Sequence, residues 1–232
     1  MAFPTIAQIQ LSSRASNAVD DSVTLPTTSA IAAGDLIVIF HFTDSGALSS
    51  TEPGSWLEIK DAATAGPNGR VFVAYLIASG GETSVTVTKA VTERFTAIAI
   101  KVLAANWHGT TPPEISTGAT GTSTTPDPDS LTTSWGAEQT MWVAIMGMDD
   151  SAGTNLITAY PYASNNQQAT SVSSAGGGGI CTTESAVATL DPGTFTITSD
   201  EWWAGTLAIR PAAGGGGWAN ITKIDGTAST SY

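Results

Sequence analysis

The chain has 232 residues, of which only 12% are charged, and its net charge of −12 leaves eight basic residues. This balance disfavours binding to nucleic acid or to an acidic membrane face, because both present negative charge that bases would have to neutralise. With 41% hydrophobic residues the composition is that of an ordered chain with a core, and it excludes a disordered protein.

Two further exclusions concern export and redox chemistry. The residues Met1–Thr5 carry no base and no sustained apolar run, so we expect no secretory signal. The longest apolar run, Leu36–Phe40, is too short to span a bilayer. Cys181 is the only cysteine, which excludes an intrachain disulfide and a cysteine zinc cluster, and we expect its thiol to be buried in a strand.

In chain order, the first half is a succession of predicted strands. Phe3–Leu11 is predicted as an opening strand at a sheet edge, and Asn17–Pro26 as a second, short strand. The run Leu36–Phe42 is apolar on both faces, which indicates a central strand covered on both sides. The remaining predicted strands of this half are Trp56–Ile59, Arg70–Ala78, the Val-Thr alternation Val85–Thr88 and Phe95–Leu103.

In the second half, the Thr-, Gly- and Pro-rich stretch Trp107–Thr133 is interpreted as the crossover between halves, since a segment of this length usually has such a role. Met141–Met148 is the second predicted central strand. Tyr160–Tyr162 is expected to form an aromatic loop and Gly176–Gly179 a flexible tip. Ile180–Ile209 then repeats the closing hairpin of the first half.

An internal repeat organises these elements. Asp200–Pro211 follows the same order of acidic, aromatic, small, aliphatic and basic residues as Glu93–Val102. Upstream, the pattern matches again at three pairs of segments: Thr194–Thr198 with Ser84–Thr88, Ile180–Leu190 with Val71–Ser79, and Met141–Ile145 with Asp35–Ile39. Two copies are too few for a solenoid but suit two sheets over one core. We therefore predict an all-β fold, a two-sheet antiparallel β-sandwich that is jelly-roll-like and built from two similar halves.

The amino-acid composition changes after Pro211. We predict a sandwich domain over residues 1–211, a Gly-rich linker over 212–217 and a flexible C-terminal docking tail over 218–232. A short apolar segment tethered by glycines cannot fold alone, so it should dock on a partner. Its apolar residues are the candidate partner-binding residues Trp218, Ile221 and Ile224.

Catalytic and metal-binding patterns are weak. His41 and His108 are the only histidines available as a general base. We expect His41 to be a satisfied core residue and His108 to be exposed. No Gly-x-Ser-x-Gly elbow is present. The aspartate pairs Asp127 with Asp129 and Asp149 with Asp150 could hold calcium but lack the glycine-and-glutamate frame of a calcium loop. The sequence therefore predicts no enzyme, no metal and no cofactor. Counting alone does not exclude the carboxylate pair of a glycoside hydrolase, because the chain has 20 carboxylates, but the sequence singles out no such pair.

Aromatic side chains offer a second kind of site. Exposed tryptophans and tyrosines are the stacking platforms of carbohydrate-binding modules. The candidate glycan-contacting residues are Trp107, Tyr160 and Tyr162. Because neighbours on a strand point to opposite faces, one of Trp202 and Trp203 is expected to face outward.

Several of these segments resemble β-sandwich virion structural proteins of tailed bacteriophages, of the decoration or tail and fibre type. The resemblance covers about residues 1–211. It lies in Gly34–Val38, Pro53–Trp56, Ala74–Ala78 with Gly81-Glu82, Ser199–Trp203 and Leu207–Pro211. The segment Ile221–Ala228 is similar to the short Ile-x-Lys-Ile-Asn-Gly-Val tails of phage structural and appendage proteins, with Asp225 in place of Asn and Thr227 in place of Val.

The resemblance implies a non-enzymatic virion building block, displayed on a capsid or tail as a symmetric homo-oligomer such as a trimer. Its partners would be other capsid or tail subunits, and its location the virion, after synthesis in the host cytoplasm. The alternative from the residues alone is a carbohydrate-binding module that recognises host-surface glycans through Trp107, Tyr160 and Tyr162.

Overall fold

A computed structural model describes residues 2–44, 50–51, 54–66, 68–149, 157–170 and 176–213. No helix in these ranges is long and apolar enough to cross a membrane. Every regular element there is a strand. In the first half the strands are β1 (Ile6–Thr24), β2 (Leu36–Thr43), β3 (Ser50–Thr51), β4 (Leu57–Ala63), β5 (Arg70–Ile77) and β6 (Ser84–Val102). In the second half they are β7 (Glu114–Ile115), β8 (Ala119–Gly121), β9 (Leu131–Thr132), β10 (Thr140–Met148), β11 (Ser164–Ala169), β12 (Gly177–Ser185), β13 (Thr189–Leu190) and β14 (Trp202–Ile209).

The strands form two antiparallel sheets that pack as a β-sandwich, as predicted. The first sheet has the order β1-β6-β2-β5-β4, with β3 paired to β6. The second sheet has the order β11-β12-β10-β14-β7, with β8 also paired to β14. A small ladder of β9 and β13 lies apart from both sheets.

Each sheet is made by one half of the chain, as the internal repeat predicts, although Thr194–Thr198, the counterpart of Ser84–Thr88 in β6, is not a strand. The central strand β2 corresponds to β10, its neighbours β5 and β6 correspond to β12 and β14, and the edge strands β4 and β1 correspond to β11 and β7. Every strand-to-strand ladder among the described residues joins strands of the same half. The two halves therefore meet mainly face to face, through side chains.

The predicted central strands are central. All eight residues of β2 and all nine of β10 are buried. Their inward side chains form one core between the sheets, to which Phe40, Ile98, Val143 and Leu207 contribute. Burial on both faces explains why both runs are apolar without alternation.

Both sheets also carry apolar clusters on their outer faces. The first sheet curls, so that the long strands β1 and β6 bring Val23 and Val87 over Ile39 and Phe72. On the second sheet, loop residues such as Phe195 cover β10 and β14. Neither sheet presents an uncovered outer face over its central strand.

Three expectations about local structure were wrong. The two predicted N-terminal strands are one strand, β1, whose register against β6 shifts between Arg14 and Asp20. The segments predicted separately at 85–88 and 95–103 are likewise one strand, β6. The predicted flexible tip at Gly176–Gly179 is mostly the buried start of β12.

Two paired glycines of the second sheet make room for a side chain of the first sheet. Gly178 pairs with Gly147 of β10, and a Cβ atom at either position would overlap the ring of Phe42. These glycines are required by close packing and not by a turn.

The chain leaves the sandwich beside the junction of the two halves. Trp107 pairs with Pro211, and the Ala212 amide donates a hydrogen bond to the Asn106 carbonyl, 3.4 Å away. The predicted docking residues Trp218, Ile221 and Ile224 lie outside the described residues. The proposed domain boundaries therefore stay a prediction.

Candidate functional site

A buried ion cluster lies on the outer face of the first sheet. Asp21 of β1 is fully buried, and its carboxylate contacts Arg14, His41 and Lys89. His41 Nε2 lies 2.8 Å and Lys89 Nζ 2.7 Å from the same oxygen, Oδ2. The cluster forms because β1 and β6 curl over β2, which brings residues from three strands into one place.

The buried carboxylate of this cluster is paired with cationic side chains. Burial lowers the pKa of His41 below its ordinary value, although the hydrogen bond to Asp21 opposes the shift. Burial also lowers the pKa of Lys89. The His41 ring stacks on the Phe95 ring, with the two centroids 5.2 Å apart. The Arg14 guanidinium also lies over the Phe95 ring, 5.4 Å from its centroid. A buried carboxylate with cationic partners satisfies the general requirement that interior charges be paired.

The histidine–carboxylate pair is enclosed by the protein. His41 is 1% exposed and Asp21 0%, so no substrate can reach either group in this conformation. His41 is a satisfied core residue, as predicted. His108 is half-buried and not fully exposed as expected, and its Nδ1 accepts a hydrogen bond from the Thr111 amide at 3.2 Å.

The predicted aspartate pairs do not form a metal centre within the described part of the chain. No group of three or more histidine, cysteine, aspartate or glutamate side chains there could hold a metal ion. Asp127 is exposed and Asp129 half-buried, while Asp150 lies outside the described residues. Asp149 is buried and instead faces Asp44, the residue that follows β2.

The aromatic residues do not form the expected platform. Trp107 is 1% exposed and its Nε1 donates a hydrogen bond to the Gly34 carbonyl at 2.9 Å, so its expected exposure is wrong. Trp202 and Trp203 are both buried, because the second sheet is covered on both faces. The expectation that one of them faces outward is also wrong.

The two tyrosines of the aromatic loop are half-buried. Tyr160 packs edge-on against Phe195, with ring centroids 5.8 Å apart. Burial raises the pKa of Tyr160 to about 12 and that of Tyr162 further. Both side chains pack against the outer cluster of the second sheet.

A groove among the described residues is open to solvent. It lies at the seam where the edge strand β1 of the first sheet faces β11 and β12 of the second, and has a volume of about 470 Å³. Its walls include Thr5, Ser164, Asn165, Thr183 and Glu184, and Met141 lies at its base. Sequence reasoning missed this groove, because its lining comes from four strands in both halves, β1, β10, β11 and β12, and none carries a recognisable motif.

The opposite seam is closed by contacts between β4 and the loop after β7. Lys60 donates hydrogen bonds to the carbonyls of Ser116 and Thr117, and its ammonium lies 5.6 Å from the Trp203 ring centroid. Burial lowers the pKa of Lys60. The two seams of the sandwich therefore differ, since the contacts of Lys60 close one and the other is open to solvent.

Comparisons with known proteins identify no relative: no family model, no curated protein and no solved structure matches this chain.

Proposed function

We propose that this chain is a non-enzymatic structural protein of a bacteriophage virion, either a capsid decoration (cement) subunit or a tail or fibre component. The observation that carries the proposal is the position of the exposed apolar side chains. Most of the large ones lie on strands of the first sheet, at Leu11, Val19, Leu57 and Ile77. The first two belong to the edge strand β1 and the third to the edge strand β4.

Apolar side chains on sheet edges favour contacts between subunits. An edge strand presents unpaired backbone groups as well as side chains, so it is a natural place for a second chain to pack. Repeated around a symmetry axis, such contacts give a closed homo-oligomer such as a trimer. The other partners would be the capsid or tail subunits to which the oligomer attaches.

The ionisable groups best suited to acid–base chemistry also support a structural role. Asp21 is paired with His41 and Lys89 in the interior, and the curled strands β1 and β6 separate these groups from solvent. Such a cluster stabilises the curl of the first sheet, which is a structural role.

Residues 218–232 would supply the attachment to the virion. Each copy contributes one apolar segment on a glycine linker, and a ring of copies presents several together. Weak contacts that act together then give firm attachment, because the effective concentration of each later contact is high. Trp218, Ile221 and Ile224 are the proposed contact residues.

The test is incorporation of a truncated protein into virions. Residues 1–213 should unfold at the same temperature as the full chain but should no longer be incorporated. Replacing Trp218, Ile221 and Ile224 by Ala should have the same effect, whereas replacing Ser229 and Ser231 by Ala should have none. Unchanged incorporation of the truncated chain would reject the role of the tail.

Mass spectrometry of purified heads and purified tails tests the wider proposal. The protein should be found in one of the two fractions, which assigns it to the capsid or to the tail. Its absence from both fractions of a phage that expresses it would reject the virion function.

A further inference from the structure

The open groove between β1 and the strands β11 and β12 is lined by neutral polar groups and one carboxylate. Thr5, Ser164 and Thr183 provide hydroxyl groups, Asn165 provides an amide, and Glu184 provides the charge. No lysine, arginine or histidine is among the described residues that line it. A phosphate or carboxylate ligand would meet like charge without a base to neutralise it, so the lining selects against anions.

The backbone around Asn165 is arranged to hold this side chain in the groove. Asn165 is the one non-glycine residue in the described ranges with a positive φ, 52°. It lies where the register of β11 against β12 shifts, between Ser164 and Gln167. Bulges and left-handed residues at such positions re-aim side chains and are enriched at binding sites.

Hydrogen bonds within the groove leave specific atoms available. The Asn165 amide nitrogen donates to Thr182 Oγ1 at 2.8 Å, which fixes the amide and leaves its oxygen to accept a bond from a ligand. Thr5 Oγ1 accepts a bond from Asn106 Nδ2 at 3.2 Å, so its hydroxyl hydrogen is available to donate. Within the described part of the chain, the exposed Glu184 carboxylate has no hydrogen-bond or ion-pair partner.

We propose that this groove binds a neutral saccharide unit of a glycan. The adjacent hydroxyl groups of a sugar ring match the two oxygens of Glu184 in the charge-assisted bonds that are the stronger kind of hydrogen bond. The other hydroxyls of the ring can donate to the Asn165 oxygen and accept from Thr5. The half-buried Ile6, with the buried Met141 beneath it, gives the apolar part of the lining against which carbon atoms of the ring can lie.

The size and composition of the groove define the kind of binding. Its volume of about 470 Å³ falls in the range of small-molecule sites and suits one or two sugar rings. No aromatic side chain is among the lining residues, so a single site lacks stacking energy and binds weakly. In an oligomer, several grooves acting on one glycan-coated surface would bind firmly. The inference concerns the isolated sandwich and does not require the virion role.

The experiment is a titration of the full chain with neutral saccharides, followed by amide-resolved NMR. The probes are glucose, galactose, mannose, N-acetylglucosamine and lactose, with glucuronic acid as the anionic comparison. At least one neutral sugar should shift the amides of residues 164–165 and 182–184, and glucuronic acid should not.

Two variants and one control identify the groove as the site. Glu184→Gln should weaken binding about tenfold, because the hydrogen bonds to a charged acceptor become neutral ones. Asn165→Gly should also weaken it, since glycine keeps the positive φ but removes the amide. Asp127→Asn, at an exposed carboxylate elsewhere, should leave binding unchanged. All three should unfold at nearly the same temperature.

Three results would overturn the proposal. One is the absence of a shift in the groove with every neutral probe. Another is binding that survives both Glu184→Gln and Asn165→Gly, and the third is a set of shifts centred on Tyr160 and Tyr162 instead. None of these results bears on incorporation into virions, so the two proposals fail separately.

Discussion

Asp44 and Asp149 occupy equivalent positions in the two halves, and their carboxyl groups face each other closely enough for Asp44 to raise the pKa of Asp149. Each directly follows the central strand of its sheet, since β2 ends at Thr43 and β10 at Met148. Two ionised carboxylates that face each other in a buried place repel one another, so one of them keeps its proton to a higher pH. The end of the sandwich is therefore joined by a contact that depends on pH.

The free energy of unfolding should fall as the pH rises from about 6.5 to 8. Burial, together with the neighbouring Asp44, raises the pKa of Asp149 to about 8. An unfolded aspartate is already ionised at these pH values, so the folded state binds the extra proton and loses stability as it dissociates. The slope for one proton is at most about 1.4 kcal/mol per pH unit. Below this range His41 has the opposite effect. Its pKa is lowered in the folded state, so the unfolded state binds the proton first and the free energy of unfolding falls as the pH falls below about 6.5.

Urea unfolding across this pH range measures whether the free energy of unfolding falls or rises with pH. Asp149→Asn should flatten the curve and raise stability most at the alkaline end. Asp127→Asn, which alters an exposed carboxylate, should keep the slope of the unmodified protein. The same slope in Asp149→Asn would show that another group is responsible.

Removal of the Asp21 carboxylate should cost about 3–5 kcal/mol of unfolding free energy, because Arg14 and Lys89 would remain near one another without their anion. The matched control is Asp20→Ala. Asp20 is exposed and accepts one hydrogen bond from Thr88 at 2.8 Å, so its loss should cost about 1 kcal/mol or less. Chemical denaturation of Asp21→Ala and Asp20→Ala measures both. Equal costs for the two variants would contradict a stabilising cluster.

Gly178→Ala should destabilise the sandwich by about 1–3 kcal/mol, because the new methyl group would overlap the Phe42 ring. Gly193→Ala is the control, since its nearest heavy atom would be at 3.8 Å, and its effect should stay within about 0.5 kcal/mol. In a Phe42→Leu background the cost of Gly178→Ala should shrink, as expected for residues in contact. An unchanged cost there would show that the strand, and not the ring, requires glycine.

The Cys181 thiol should not react with Ellman's reagent at mildly alkaline pH while the protein is folded. It is fully buried, and burial raises its pKa to about 12, so almost no thiolate is present. One equivalent should react after unfolding in urea. Rapid labelling of the folded protein would reveal an opening of the second sheet that the structure does not show.

The fold was predictable where one physical requirement dominates the sequence. The runs at 36–42 and 141–148 are apolar on both faces, which only a covered central strand requires, and both are central. The repeated patterns in the two halves predicted two similar sheets. Side-chain orientation was less predictable, because alternation places Trp202 and Trp203 on opposite faces but does not tell whether each face is covered.

The candidate sites were not predictable, since they depend on contacts that are distant in the sequence. Lys89 meets Asp21 only because the first sheet curls, and no local pattern encodes that curvature. The groove joins Thr5 to Glu184 across both halves. The buried position of Gly178 was not predictable for a related reason, because the residue that requires this glycine, Phe42, lies on the other sheet.

The separation of the hydrogen-bond ladders into two halves has a consequence for how the chain can be divided. A break placed between Leu103 and Glu114 would cut no ladder, so each fragment would keep the complete strand set of its own sheet. Two such fragments, produced as separate polypeptides, should therefore recognise each other through their apolar faces and reassemble. During synthesis, the amino-terminal sheet can complete all its strand pairings before the other half has left the ribosome.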